Sequence, residues 1–109
     1  MKSYTDLEQS KVLSEILPLE SADMHYVLID TDEDKYAVGL GKYIGILPHY
    51  PCWSLSALLG VLPEPYQLTS NKEGKVQLVL IHHLEKDYYD NPVDACVAII
   101  EHLHELKML

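Results

Sequence analysis

The chain has 109 residues, 48% hydrophobic and 23% charged, which sets it apart from disordered sequences and leaves no apolar run near the roughly 20 residues of a membrane-spanning helix. Its 8 basic residues face 17 acidic ones, for a formal net charge of −9. Phosphate binding needs clustered Lys and Arg, so direct nucleic-acid binding is not expected. The length suits one domain with one core. Cys52 and Cys96 stand far apart and in no CxxC pair, which fits neither a disulfide framework nor a zinc pattern and points to free thiols in a reducing compartment. The opening MKSYTDLEQSK lacks the apolar stretch of a secretory signal, and a cytoplasmic protein is expected.

In chain order, Thr5-Asp6-Leu7-Glu8 fits a capping box with Thr5 as N-cap. The helix it opens is expected to run to about Leu17 and stop before Pro18, burying Val12, Leu13, Ile16 and Leu17. His25 to Asp30 reads as a strand, Thr31 to Asp34 as a polar turn, and Lys35 to Leu40 as a second, alternating strand, which together predict a hairpin. Lys42 to Leu47 continues irregularly, weakened by Gly39, Gly41 and Gly45. Ser54 is a good N-cap for a short helix ending near Gly60, with Trp53 and Leu58 placed for a hydrophobic staple.

Tyr66 to Ser70 and Lys75 to His83 flank the turn Asn71-Lys72-Glu73-Gly74 and predict a second hairpin. Apolar residues on both faces of the later strand suggest that it is central in its sheet. Asn91-Pro92 is a strong helix start, with Asn at N-cap and Pro at N1. At roughly 100° per residue, Val93, Cys96, Val97, Ile100 and Leu103 share one side, Ile99 and Leu106 widen that stripe, and Asp94, Glu101 and Glu105 form an acidic stripe. These elements predict one compact α+β domain: an antiparallel sheet of two hairpins with about three helices, in the order α-ββ-α-ββ-α.

Several stretches imitate chemical motifs. His102 and His104 point roughly 160° apart on a helix and do not share a metal ion; His104 is expected along the apolar stripe, with His102 in water. Asp30-Thr31-Asp32-Glu33-Asp34 starts like a calcium loop, but Lys35 and Gly41 occupy the positions that need Gly and Glu. Gly39-Leu40-Gly41-Lys42-Tyr43-Ile44-Gly45 lacks the third glycine of a dinucleotide fingerprint and the Ser or Thr of a P-loop. No cofactor or metal is expected. Trp53, Tyr88 and Tyr89 are the large side chains most able to anchor a partner, although Trp53 also fits a staple and the tyrosines an edge cover.

Three blocks, YTDLEQSKVLSEILPLESADMHY, PCWSLSALLGVLP and YDNPVDACVAIIEHLHELKML, resemble a family of small uncharacterised proteins from gut Bacteroidales, some carried on prophages or other mobile elements. The resemblance covers about half the chain and implies a cytoplasmic protein in a mobile-element context. It carries no activity, cofactor or catalytic residue. The leading expectation is a non-catalytic accessory protein that binds another protein or itself. One alternative is an acidic decoy of a nucleic-acid-binding protein. The other is an enzyme or small-ligand binder whose pocket converges on His82 or His83.

Overall fold

A computed structural model describes residues 2–82 and 87–109. It shows an α+β domain whose elements follow in the order α1 (Leu7–Leu13), a 3-10 turn (Leu19–Ser21), β1 (Met24–Asp30), β2 (Lys35–Leu40), β3 (His49–Cys52), α2 (Leu55–Gly60), β4 (Tyr66–Ser70), β5 (Val76–Leu80) and α3 (Pro92–Glu105). Both expected hairpins form, but in separate antiparallel sheets, β2-β1-β3 and β4-β5.

The first helix is capped one residue later than expected. Asp6 Oδ1 accepts from the Gln9 amide at 2.8 Å and Gln9 Oε1 accepts from the Asp6 amide at 3.1 Å, a complete capping box. Thr5 turns inward instead. It is fully buried; its hydroxyl accepts from the Trp53 amide at 3.1 Å and meets Ser10 Oγ at 2.8 Å. A surface carboxylate can cap in water, whereas the buried Trp53 amide needs a partner inside. The helix stops at Leu13 rather than Leu17, and two further turns still bury Leu17. Val12, expected inside, is exposed.

The stretch after β2 leaves the sheet at Gly41, whose φ of +76° suits glycine. The 41–48 loop then carries the chain across β1, so that β3 pairs on the far side of β1. Cys52 therefore ends a strand. The Ser54 cap is as expected, its hydroxyl accepting from the Ala57 amide at 3.1 Å. The position expected for β5 is revised. It has β4 on one side but only a single bridge, Val76 to Tyr89, on the other.

The core gathers Leu13 and Leu17, Trp53, Leu58 of α2, Val76, Leu78 and Leu80 of β5, and the inner face of α3. The stripe of α3 is buried as expected through Ile99 and Leu103, Ala95 is enclosed as well, and Leu106, expected to widen the stripe, is half-exposed just past the end of the helix. Its start is as read: Asn91 Oδ1 accepts from the Asp94 amide at 2.9 Å, with Pro92 in the first turn. Asp94 is not in open water, however. It accepts from Lys2 Nζ and Gln9 Nε2, each at 2.9 Å, and so pins α1 to α3. His104 is exposed rather than set along the stripe. No helix among the described residues is long and apolar enough to cross a membrane.

Candidate functional site

The β2-β1-β3 sheet carries a cleft of about 540 Å³, open between the end of α1, the Leu19–Ser21 turn, β3 and the 41–48 loop. One wall is a stack of rings. Tyr43 lies between His25 and His49, with ring centroids 5.4 and 4.8 Å away. Two glycines make room for the stack. A Cβ on Gly39 would stand 2.6 Å from His25 Nε2, so the imidazole lies directly over that backbone. A side chain on Gly45 would strike the Tyr43 hydroxyl, which accepts from the Leu47 amide at 3.2 Å.

Both histidines are oriented by backbone. His25 Nδ1 is 2.9 Å from Gly41 O, and His49 Nδ1 is 3.1 Å from Leu47 O. A carbonyl only accepts, so each Nδ1 carries the hydrogen and each Nε2 is an acceptor in the neutral ring. The other wall holds Tyr50, with Lys11 Nζ 5.4 Å from its ring centroid and the Tyr36 ring 5.9 Å away. Glu20 and Lys42 add one charge of each sign.

This lining can grip an apolar or aromatic group and hydrogen-bond to it. It holds no activated nucleophile: the Ser14 hydroxyl donates to Lys11 O at 2.7 Å. Among the described residues no group of three or more His, Cys, Asp or Glu could hold a metal ion. Neither cysteine lines the cleft, and both are fully buried. Burial pushes the Cys96 thiol up to about 12, and burial also raises Cys52 against the opposing hydrogen bonds of Thr5 and Ser10. Both thiols are therefore protonated and unreactive in the folded chain.

The loop beside the cleft carries its apolar side chains outward. Ile44 is 95% exposed and Ile46 fully exposed, with Leu47 half-exposed. Sequence reading missed this surface. Its apolar residues fall in a glycine-spaced stretch with no helical or strand period, so nothing marked which side they face. The three gaps, Gly39, Gly41 and Gly45, were the available signal.

The residues singled out from the sequence do not converge here. Trp53 is fully buried and donates from Nε1 to Ser21 Oγ at 2.9 Å, so it offers no surface to a partner. Tyr88 is half-exposed, while Tyr89 is half-buried, bridged to Val76 and packed against the core. His82 does not line the cleft; its Nδ1 and its amide each lie 2.9 Å from a Glu64 carboxylate oxygen. His83 lies outside the described residues. The Asp30–Asp34 turn is closed by Asp30 Oδ1, which accepts from the Asp32 and Glu33 amides at 3.0 and 3.3 Å. Comparison with protein-family models, with curated proteins and with solved structures finds no match for the chain.

Proposed function

We propose that the protein is a non-catalytic cytoplasmic interaction module, which holds another protein through the 41–48 loop and the cleft beside it. The observation that carries this reading is the pair Ile44 and Ile46, both almost wholly in water. Single exposed apolar residues are ordinary, but two large aliphatic side chains in one short loop, beside an aromatic cleft, match the apolar centre of a docking surface. The net charge of −9 favours a partner with a basic rim. The resemblance of the three sequence blocks adds a mobile-element context to this proposal.

A second reading has the cleft itself in its favour. Its volume of about 540 Å³ falls in the usual range for small-molecule sites. His25, Tyr43, His49 and Tyr50 would then hold a flat apolar ligand, with no reaction implied.

The test is a tagged pull-down from lysate of the source cell, treated with nuclease and read by mass spectrometry. It is run with the parent chain and with an Ile44→Asp, Ile46→Asp double variant. The docking reading expects a stoichiometric protein that the parent keeps and the double variant loses, with unchanged circular dichroism. A partner retained by the variant would place docking elsewhere. Recovery of the bait alone would turn attention to the small-ligand reading, and thermal-shift screening against aromatic compounds would then decide it. A nucleic-acid-binding protein as the partner would favour the decoy.

A further inference from the structure

The three-stranded sheet ends in two very different edges. In β1, the Leu28 amide donates to Pro48 O at 2.9 Å, so even-numbered residues of β1 direct their backbone groups towards β3. The Gly41 amide donates to Asp23 O at 2.8 Å, so odd-numbered residues direct theirs towards β2. On the β3 edge this leaves His49, Pro51 and Trp53 facing out. Pro51 has no donor, and the N–H and C=O of Trp53 are taken by Thr5 Oγ1 and the Thr5 amide. From Pro51 onward that edge is blunted, which leaves the backbone of His49 as its one open position among the described residues.

The β2 edge is not. By the same register, the backbone groups of Tyr36, Val38 and Leu40 point away from β1, and no main-chain bond among the described residues takes them up. The strand contains no proline and no bulge of its own; the one irregularity in the pair lies between Leu28 and Asp30 on β1. Its outward residues also carry apolar side chains in water: Val38 is 37% exposed and Leu40 86%.

We infer that β2 is a self-pairing edge, through which two copies of this chain join their sheets antiparallel about a two-fold axis at Val38. In that register Val38 stands opposite the second copy's Val38, and Tyr36 opposite its Leu40. The outward backbone groups at 36, 38 and 40 then bond in reciprocal pairs. Leu40 is covered by an aromatic ring, and the apolar face shared by Tyr26, Leu28, Tyr36 and Val38 continues into the second copy. Charge supports this occupant. Just past the end of β2, Lys42 of each copy comes to the side where the other copy carries its acidic turn of Asp30, Asp32, Glu33 and Asp34, so the two ends of the paired strands bring opposite charges together.

The outer edge of β4 is the competing site. Its Leu68 already packs against the core, and the flanking Glu64 is already held by His82, so pairing there would cover little that is now exposed. Five paired residues per copy bury less than the roughly 800 Å² per partner of a standard stable complex. The dimer therefore forms and dissociates with concentration. It borders the docking loop at Lys42 but does not rest on that reading.

Sedimentation equilibrium over a wide concentration range tests the inference. The parent is expected to shift towards twice the chain mass as concentration rises. Val38→Lys sets two like charges directly across the axis and should weaken association about tenfold or more. Lys42→Glu, at an exposed position on the cleft rim, should weaken it about threefold. Adding Glu33→Lys to Lys42→Glu should restore it, an outcome that only this register explains. A chain that stays monomeric at every concentration would overturn the inference. So would association that Val38→Lys leaves unchanged, which would direct attention to β4. The Ile44→Asp, Ile46→Asp variant should still dimerise, and Val38→Lys should still bind the protein partner, so the two proposals stand or fall separately.

Discussion

The two halves of the molecule are held together differently. Around α3, the side chains of α2, β5, Trp53 and the end of α1 close into a core with fully buried Leu58, Leu78, Val93, Cys96, Ile100 and Leu103. In the β2-β1-β3 sheet, Cys52 is the single buried side chain, and every residue of β1 and β2 is half-buried or exposed. The radius of gyration of 14.7 Å exceeds the roughly 13 Å of a compact domain of this length, in keeping with a sheet set to one side. Hydrophobic burial stabilises the first half. The second relies on its backbone ladder and a few links to α1, among them the Tyr26 hydroxyl donating to Thr5 O at 2.8 Å. Binding surfaces are commonly drawn from the less buried part of a fold, and here the cleft, the apolar loop and the open edge all belong to it.

The largest test of this contrast is a pair of truncations. Trp53→Ala removes a fully buried ring and its bond to Ser21, and should cost about 3–5 kcal/mol in chemical denaturation. Ile29→Ala, at a half-exposed position beside the irregularity in β1, should cost less than about 0.5 kcal/mol. Comparable losses would mean that the sheet contributes as much to stability as the core does.

The two cysteines sharpen the comparison, because each reports on one half. Both are inaccessible when folded, so an alkylating reagent reaches them only through opening. Cys52 lies on β3, against Thr5 and Ser10; Cys96 lies on the buried face of α3. If the sheet opens before the core, Cys52 should label about tenfold faster than Cys96 under native conditions, a difference of about 1.4 kcal/mol in opening free energy. Peptide mapping after timed labelling reads the ratio. Equal rates would show that both halves open as one cooperative unit.

Local signals read well from sequence. Asn91-Pro92, Ser54, the Lys35–Leu40 strand and the Asn71–Gly74 turn carry their geometry within a few residues; Asn71 Oδ1, for example, accepts from both the Glu73 and Lys75 amides at 3.0 Å. What failed was decided at a distance. TDLEQ contains two overlapping capping boxes, one from Thr5 and one from Asp6, and only the buried Trp53 amide selects between them. β3 is four residues long and contains a proline, so its strand character comes from pairing with β1 rather than from its own propensity. The proposed binding surface was the least legible part. Trp53, Tyr88 and Tyr89 drew attention by size, but size does not reveal exposure, whereas Ile44 and Ile46 had no periodic pattern to betray theirs.

The smallest effect tests the join between α1 and the core. Burial pushes the Asp94 carboxyl up, but hydrogen bonds from Lys2, Gln9 and Asn91 outweigh it and hold the carboxyl below its ordinary value. Burial lowers Lys2, and its bonds to Asp94 and Asp6 more than compensate, leaving it above its ordinary value. A carboxyl depressed on folding stabilises the fold above its unfolded pKa, near 3.9, and loses that contribution as pH falls through the folded value. A raised lysine contributes fully below its unfolded pKa, near 10.4, and loses the contribution as pH rises through the folded one. The pair is thus fully effective between about pH 4 and pH 10. Both side chains are about a quarter to a third exposed, so solvent screening limits the contribution to about 1 kcal/mol or less. Asp94→Asn should accordingly lower stability slightly at pH 7, and the gap from the parent should close as pH drops below 4. A gap that persists at the lowest pH would mean that Asp94 acts through packing and not through its charge, and that α1 is held to α3 by shape alone.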